Sequence, residues 1–400
     1  MGSLMSKKLK FFYAAGPGDV IGTYSYWKRG DDDPTLLGYT DSGLFYDLVK
    51  ELDAEALVIA SHSKALEIHD APFTISHLPK KKAAGLFYHL NHFYYGCRIA
   101  LKALMYRPHV AIIEDGTSYW FIWNVLHAAN IAVVPTFRCA LWPPFKPIQW
   151  KQRFLNFLDR GFFQKRALAV LPISDLIGKQ IEMLTENKAP PLFKHVPLYK
   201  SSVFENLTPP DLSKTPFRVL FIGRIEREKG VFDLLEIAEC FKKQGILSIH
   251  FDFCGSGSAE KEFIKQIKEN DLTEICHFHG YCNRSKLLKI LGESHIIAAP
   301  SQNSEGFCMV VAEGTMAGRP VVTSRICPAL ENVKKAAVEA EPENTTSYAE
   351  AIFRLYKDKD FYNQKQSACE AVSSQFYDSS KSWKAALYAA VGLLDNKLKK

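Results

Sequence analysis

The chain has 400 residues, more than one hydrophobic core usually organises, so two domains are expected; with 47% hydrophobic and 23% charged residues it reads as an ordinary globular protein, not a disordered one. No apolar run approaches the roughly 18 to 20 residues that cross a bilayer, and the polar opening MGSLMSKKLK carries no signal-peptide pattern, which leads to the expectation of a cytoplasmic location. The formal net charge of +7 lies wholly in residues 1–200, where 24 Lys and Arg face 17 Asp and Glu; residues 201–400 balance 26 against 26.

In chain order, LKFFYAAGPG, ALVIA, VAIIE, IAVVP and LAVLPIS are short, β-rich apolar runs separated by helix-length segments. That is the βαβ rhythm of a parallel sheet. The rhythm breaks over residues 194–216, KHVPLYKSSVFENLTPPDLSKTP, whose prolines and polar turn formers mark a linker. A second series follows: FRVLFIGR, IHFDFCGSG, CHFHGY, HIIAAPS and RPVVTS. The fold class read from this pattern is α/β, two Rossmann-like domains.

In open α/β sheets ligands sit beyond the carboxyl ends of the strands. After VLFI comes GRIEREKG, with Gly223, Arg224 and Lys229 ahead of the helix VFDLLEIAECFKK. An arginine fork and a lysine ammonium at such a point suit a diphosphate, although a solvated charged turn fits the same residues. Beyond HIIAAPS, a helix is expected from near Gly306 to near Gly318, with the free N–H groups of Gly306 and Phe307 forming an anion seat. Glu305 flanks that seat and Glu313 lies about two turns along. A carboxylate beside a phosphate is unfavourable, so both glutamates are read as acceptors for hydroxyls. Glu313, inside an apolar helix, needs a partner, either a ribose diol or a neighbouring Lys or Arg.

GRIEREKG together with PSQNSEGFCMVVAEGTMAGRPVV resembles the retaining GT-B glycosyltransferases of family 4, which carry a Glu-x7-Glu motif. The likeness is specific over about residues 216–335. It implies the GT-B fold, two Rossmann-like domains facing across a cleft: residues 1–200 on the acceptor side, with a final C-terminal helix packing back on it, and residues 201–400 binding a nucleotide diphosphate sugar. It also implies that Arg224 and Lys229 bind the donor diphosphate, Glu313 the nucleotide ribose and Glu305 the transferred sugar. The loop AAGPGDVIG would cover the phosphates, with Gly16 and Gly18 as close-approach positions. Where family members usually carry a histidine, PHVAIIEDGTSYW offers Glu114 and Asp115. These are read either as catalytic-side groups or as a plain Asp-Gly turn. VPLYKSS replaces an Asn-Gly-Val-Asp-like turn, and ICPALE replaces paired glycines near Cys327.

His279 lines the nucleotide base or caps a strand, and base choice is expected to rest on backbone near Gly280 and Tyr281. No cofactor and no metal are expected. The nine cysteines form no CxxC pair, no histidines are spaced as a metal pair, Asp31-Asp32-Asp33 reads as a solvated loop, and CGSGS lacks the full dinucleotide fingerprint. The expected partners are a nucleotide diphosphate sugar and an acceptor glycan or glycolipid, with no nucleic acid. Residues 71–113 and 116–158 contain no Asp or Glu and ten Lys and Arg among aromatics. They are read as a face for an anionic membrane surface, or else as buried aromatics with solvated cations. Two rival readings fit the fold: a nucleotide-sugar epimerase or phosphorylase, and a non-catalytic membrane-surface scaffold.

Overall fold

The computed structural model describes residues 8–208, 210–212, 216–302 and 305–397. The polar opening before Lys8 and the loop residues Asn303 and Ser304 lie outside them. The chain forms two compact units, one of Met1–Asp33, Tyr39–Leu198 and Ser379–Lys400, the other of Pro34–Gly38 and Tyr199–Asp378. Residues 379–397 therefore go with the first unit.

The first unit runs β1 (Lys10–Pro17), α1 (Val20–Arg29), α2 (Asp41–Glu51), β2 (Glu55–Ser61), β3 (Leu66–Asp70), β4 (Phe73–His77), α3 (Gly85–Tyr106), β5 (Val110–Glu114), α4 (Asn124–Ala128), β6 (Ala132–Phe137), α5 (Trp150–Lys165), β7 (Leu171–Pro172) and α6 (Asp175–Leu184). The second runs β8 (Phe217–Ile222), α7 (Val231–Lys243), β9 (Ile249–Cys254), α8 (Glu260–Glu269), β10 (Cys276–Gly280), α9 (Arg284–Glu293), β11 (Ile296–Ala299), α10 (Met309–Met316), β12 (Val321–Ser324), α11 (Leu330–Val333), β13 (Ala337–Ala340), α12 (Thr345–Lys357) and α13 (Lys359–Ser373). The chain returns to the first unit with α14 (Trp383–Lys397).

The first sheet has the order β3-β4-β2-β1-β5-β6-β7 and is parallel except for β3, which pairs antiparallel with β4. The second, β10-β9-β8-β11-β12-β13, is parallel throughout. Helices cover both faces of such sheets, which is why the central strands are continuous apolar runs without alternation. Phe11, Phe12 and Tyr13 of β1 are all fully buried, and Leu220 and Phe221 of β8 are nearly so. The α/β class with two Rossmann-like domains is thus as read from the sequence.

Among the described residues three strands, β3, β4 (FTISH) and β13, fall outside the apolar runs read from the sequence. β3 is LEIHD, a largely exposed edge strand, and β13 is the short edge strand AVEA. One helix start needs correcting. The sequence places it near Gly306, whereas α10 begins at Met309, because Cys308 adopts a left-handed φ of 74° that no helix accommodates. Among the described residues no helix is long and apolar enough to cross a membrane.

Candidate functional site

Strand order locates the chemistry in each unit. In a doubly wound sheet the crevice opens where two adjacent strands send their connections in opposite directions. In the second unit that pair is β8 and β11. The loop after β8 carries Arg224 and Lys229, and the loop after β11 leads to Glu305. In the first unit the pair is β1 and β5. Gly16 and Gly18 end or follow β1, and Glu114 and Asp115 end or follow β5.

Glycines allow the loops of the second unit to close on one another. Gly230 takes φ 71° at the start of α7, and a Cβ there would stand 2.2 Å from the Pro300 carbonyl oxygen. Glu228 accepts the Gln302 amide at 3.0 Å, and the Gln302 side chain donates to Asp233 at 2.8 Å. The CGSGS turn has a packing explanation. A Cβ on Gly255 would meet the Gly223 carbonyl oxygen at 1.8 Å and one on Gly257 the Ile225 oxygen at 2.3 Å, so these glycines admit backbone against backbone.

Lys229 forms an ion pair with Glu305, whose Oε1 also accepts from the Ser301 hydroxyl at 2.9 Å. Lys229 is 20% exposed, whereas Arg224 is 60% exposed and pairs with Glu226 at 2.7 Å and Glu228 at 3.3 Å. An exposed guanidinium held only by screened neighbours is free to exchange them for a phosphate. Gly306 and Phe307 are buried, with the Phe307 ring edge-on to Phe376, and they precede α10, so the expected anion seat in a first helical turn does not fall on them. Among the described residues Glu313 is paired with neither lysine nor arginine. The Tyr199 hydroxyl donates to its Oε1 at 3.1 Å. Burial pushes the Glu313 carboxyl up to about 7, against the pull of that hydrogen bond.

His279 Nε2 lies 2.7 Å from Asp252, a buried carboxylate that Arg218 also contacts at 2.9 Å. The ring is thus tied into a polar network at the end of β10, while Tyr281 beside it is exposed. Gly223 closes the turn after β8 by donating its N–H to the Cys254 carbonyl at 3.0 Å.

In the first unit Glu114 accepts a hydrogen bond from the buried Tyr13 hydroxyl. Gly16 takes a left-handed φ of 66°, which strains any residue with a side chain, and a Cβ there would crowd Glu114 Oε2 at 3.2 Å; one on Gly18 would meet nothing within 4 Å. Burial pushes the Glu114 carboxyl up to about 8, with the Arg138 charge opposing, and Asp115 up to about 6, although its Oδ2 accepts the amides of Arg138 at 3.1 Å and Cys139 at 2.6 Å. The Arg138 guanidinium is ion-paired with Asp41, the first residue of α2. Glu114 and Asp115, the latter opening the turn after β5, thus join Tyr13, Arg138 and Asp41 in one partly buried network of three acids, an arginine and a tyrosine.

Sequence reading gave no role to Tyr199, Ser301, Arg138 or Asp41, although Tyr199 stands in VPLYKSS and Ser301 in PSQNSEGF. It also passed over His62, His77 and Asp19 at the ends of β1, β2 and β4, where the two rings stack at 4.4 Å and Asp19 Oδ1 lies 3.3 Å from His77 Nε2. Among the described residues no group of three or more His, Cys, Asp or Glu is arranged to hold a metal ion. A concavity of about 590 Å³, lined by Lys50, Glu55, His69, Phe73 and Tyr106 among others, lies at the start of β2 and β4, away from the β1/β5 crevice.

Residues 204–370 match the family model described as glycosyl transferases group 1. The chain is similar to glycogen synthase of Mycobacterium tuberculosis, 27% identical over 145 residues, which cover 36% of this chain and 34% of that protein. It is also similar to the amylovoran biosynthesis glycosyltransferase AmsK of Erwinia amylovora, 27% identical over 124 residues and 30% of each chain. The matched region spans only about a third of these curated relatives. Among solved structures, sucrose-phosphate synthase from Thermosynechococcus elongatus superposes with a TM-score of 0.72 at 15% identity over 98% of this chain and 99% of that one. Anabaena HepE in complex with UDP gives 0.65 at 14% identity, over 98% and 100%. At such identities the likeness is one of fold, and the fold is GT-B.

Proposed function

We propose that this chain is a glycosyltransferase of the family 4 kind, moving a hexosyl group from a nucleotide diphosphate sugar to an acceptor hydroxyl on a glycan or glycolipid, with retention at the transferred carbon. The observation that carries the reading is the meeting of Lys229, Ser301 and Glu305 at the β8/β11 crevice, where an ammonium and a carboxylate that accepts from a hydroxyl come together. The family match over residues 204–370 supports it.

In this reading Arg224 and Lys229 take the donor diphosphate, exchanging their glutamate partners for phosphate oxygens. Glu305, released from Lys229, accepts from hydroxyls of the transferred sugar, and Glu313 with Tyr199 accepts the ribose diol. The bond from the sugar carbon to the diphosphate oxygen breaks as the bond to the acceptor oxygen forms. The acceptor proton passes to the departing phosphate oxygen on the same face, so no protein base is compulsory. Fixed positive charge matters most because negative charge grows on the leaving group in the transition state. Glu114, held protonated up to about pH 8, is suited to donate a hydrogen bond and orient a group rather than to act as base. The reaction is proposed to need no metal, and turnover should persist in excess chelator; loss rescued by magnesium or manganese would refute that part.

The test is a thermal-shift screen of UDP, GDP and ADP and their sugars, followed by transfer assays with the stabilising donor. A ligand at 100 times its dissociation constant adds about 2.7 kcal/mol of stability. Stabilisation by no nucleotide at millimolar concentration would overturn the reading. Turnover of the donor that is independent of any acceptor would favour an epimerase instead.

A further inference from the structure

The acid-free stretches of the first unit include α3 and, as far as Leu158, α5, and both helices present apolar stripes outward. On α3, Phe87, Leu90, Tyr94, Leu101 and Met105 are all exposed, Phe87 at 74% and Met105 at 76%. Their spacing of three, four, seven and four keeps them on one side of a helix, along a rise of about 27 Å. The start of α3 is unusual in another way: residues 85–90 bury nothing at all, although Leu86, Phe87 and Leu90 are among them. On α5, Trp150, Phe154 and Phe157 repeat the pattern at i, i+4 and i+7, with exposures of 73%, 58% and 69%. The two helices brace the same one-turn helix, Trp120–Trp123. Phe93 of α3 stacks on Phe121 at 6.2 Å, and Asp159 of α5 accepts the Phe121 amide at 2.8 Å.

Contiguous exposed apolar surface on this scale calls for a partner. The charges indicate which. Lys81 and Lys82 precede α3 and are exposed, Lys151 and Arg153 lie on α5, and no Asp or Glu occurs in 71–113 or 116–158. A second copy of the same face would bring like charges together, which disfavours self-association. Nucleic acid would leave the aliphatic stripe of α3 without a counterpart. A bilayer interface with anionic headgroups satisfies both features, with cations at the phosphates and aromatic and aliphatic side chains in the headgroup region.

We propose that the outer faces of α3 and α5 dock this protein on an anionic phospholipid bilayer. The docking is separate from sugar transfer and stands or falls without it. Lys80 takes no part, because its ammonium is turned inward against His92 Nδ1 at 2.8 Å and over the Tyr95 ring at 5.0 Å.

The experiment is vesicle flotation of the full chain with phosphatidylcholine alone and with phosphatidylcholine containing 30% (about one third) phosphatidylglycerol, at low and high salt. Wild type should float only with the anionic vesicles and leave a salt-resistant fraction. Lys81→Glu with Lys82→Glu should weaken binding by at least about tenfold at low salt. Phe87→Ser, Leu90→Ser, Trp150→Ser and Phe157→Ser together should remove the salt-resistant fraction. These side chains are exposed, so each variant should melt as wild type does, and the nucleotide thermal shift should be unchanged in all of them. No flotation of wild type with anionic vesicles at low salt would overturn the proposal, as would unchanged flotation of the serine variant. A dimer that the serine variant abolishes, without lipid binding by either protein, would assign the face to a second copy instead.

Discussion

Lys229 and Glu305, 76 residues apart in sequence, join the ends of neighbouring parallel strands as an ion pair. Each is partly exposed, at 20% and 24%, so the pair is neither sealed in the core nor loose on the surface. If the lysine exists to receive a diphosphate, its loss should damage turnover far more than folding. Arg224→Ala and Lys229→Ala should each lower transfer by at least about 100-fold while melting near the wild-type temperature. Wild-type-like kcat/KM in both variants would remove them from the site.

The two glutamates should separate by ligand. Glu313→Gln should weaken binding of the free nucleotide diphosphate and of the donor alike, because the ribose is common to both. Glu305→Gln should spare the nucleotide diphosphate and weaken only the sugar-bearing donor. Isothermal calorimetry with both ligands on both variants reads this directly, and equal losses throughout would show that the two carboxylates have no separate roles.

Stability should fall with rising pH through these buried acids. The folded values of Glu114 and Glu313, about 8 and about 7, lie above the ordinary carboxylate value of 4.5. The folded state therefore binds protons more tightly than the unfolded chain. The resulting stability is fully present below about pH 4.5 and is lost as pH rises through 7 and 8. Glu114→Gln should be close to neutral at pH 5 and should melt higher than wild type at pH 9. Melting curves of equal pH slope for the two proteins would show that the Glu114 carboxyl is not held protonated.

Two glycines at strand ends should respond oppositely to alanine. Gly255→Ala drives a Cβ to 1.8 Å from the Gly223 oxygen at a φ of 150°, so the turn must break and stability should drop by about 3 kcal/mol or more. Gly18→Ala meets nothing within 4 Å and should leave the melting temperature unchanged. If Gly18 is a phosphate-approach position, the same variant should lose donor affinity. Unchanged affinity would leave Gly18 as an ordinary loop residue.

What could be read from the sequence follows from how far apart the cooperating groups lie. GRIEREKG and SEGFCMVVAEG each hold their polar residues within one loop and one helix start, so local composition was enough to single them out. The partners of those residues were invisible. Tyr199 reaches Glu313 across 114 positions, and Arg138 reaches Asp41 across 97, and no local pattern shows which residue so distant each one meets. The strand LEIHD escaped notice because an exposed edge strand needs no apolar run, and the helix start was misjudged because a left-handed Cys308 has no sequence signature. Whether the aromatics of α3 and α5 point inward or outward was equally undetermined by spacing, since a stripe at helical period suits either face.

The return of the chain to the first unit has a bearing on biosynthesis. Trp383 is fully enclosed in the first core, donating its indole N–H to Thr136 at 2.9 Å and lying 5.6 Å from the Tyr13 ring and 6.5 Å from Phe45. That indole leaves the ribosome after every residue of the second unit. A nascent chain can therefore complete residues 199–378 while the β1 region still lacks its last packing partner, which reverses the usual N-terminal-first order. Until the final segment emerges, Tyr13 and Phe45 expose the surface that Trp383 later covers, so ribosome-bound intermediates stalled before α14 should be the aggregation-prone ones.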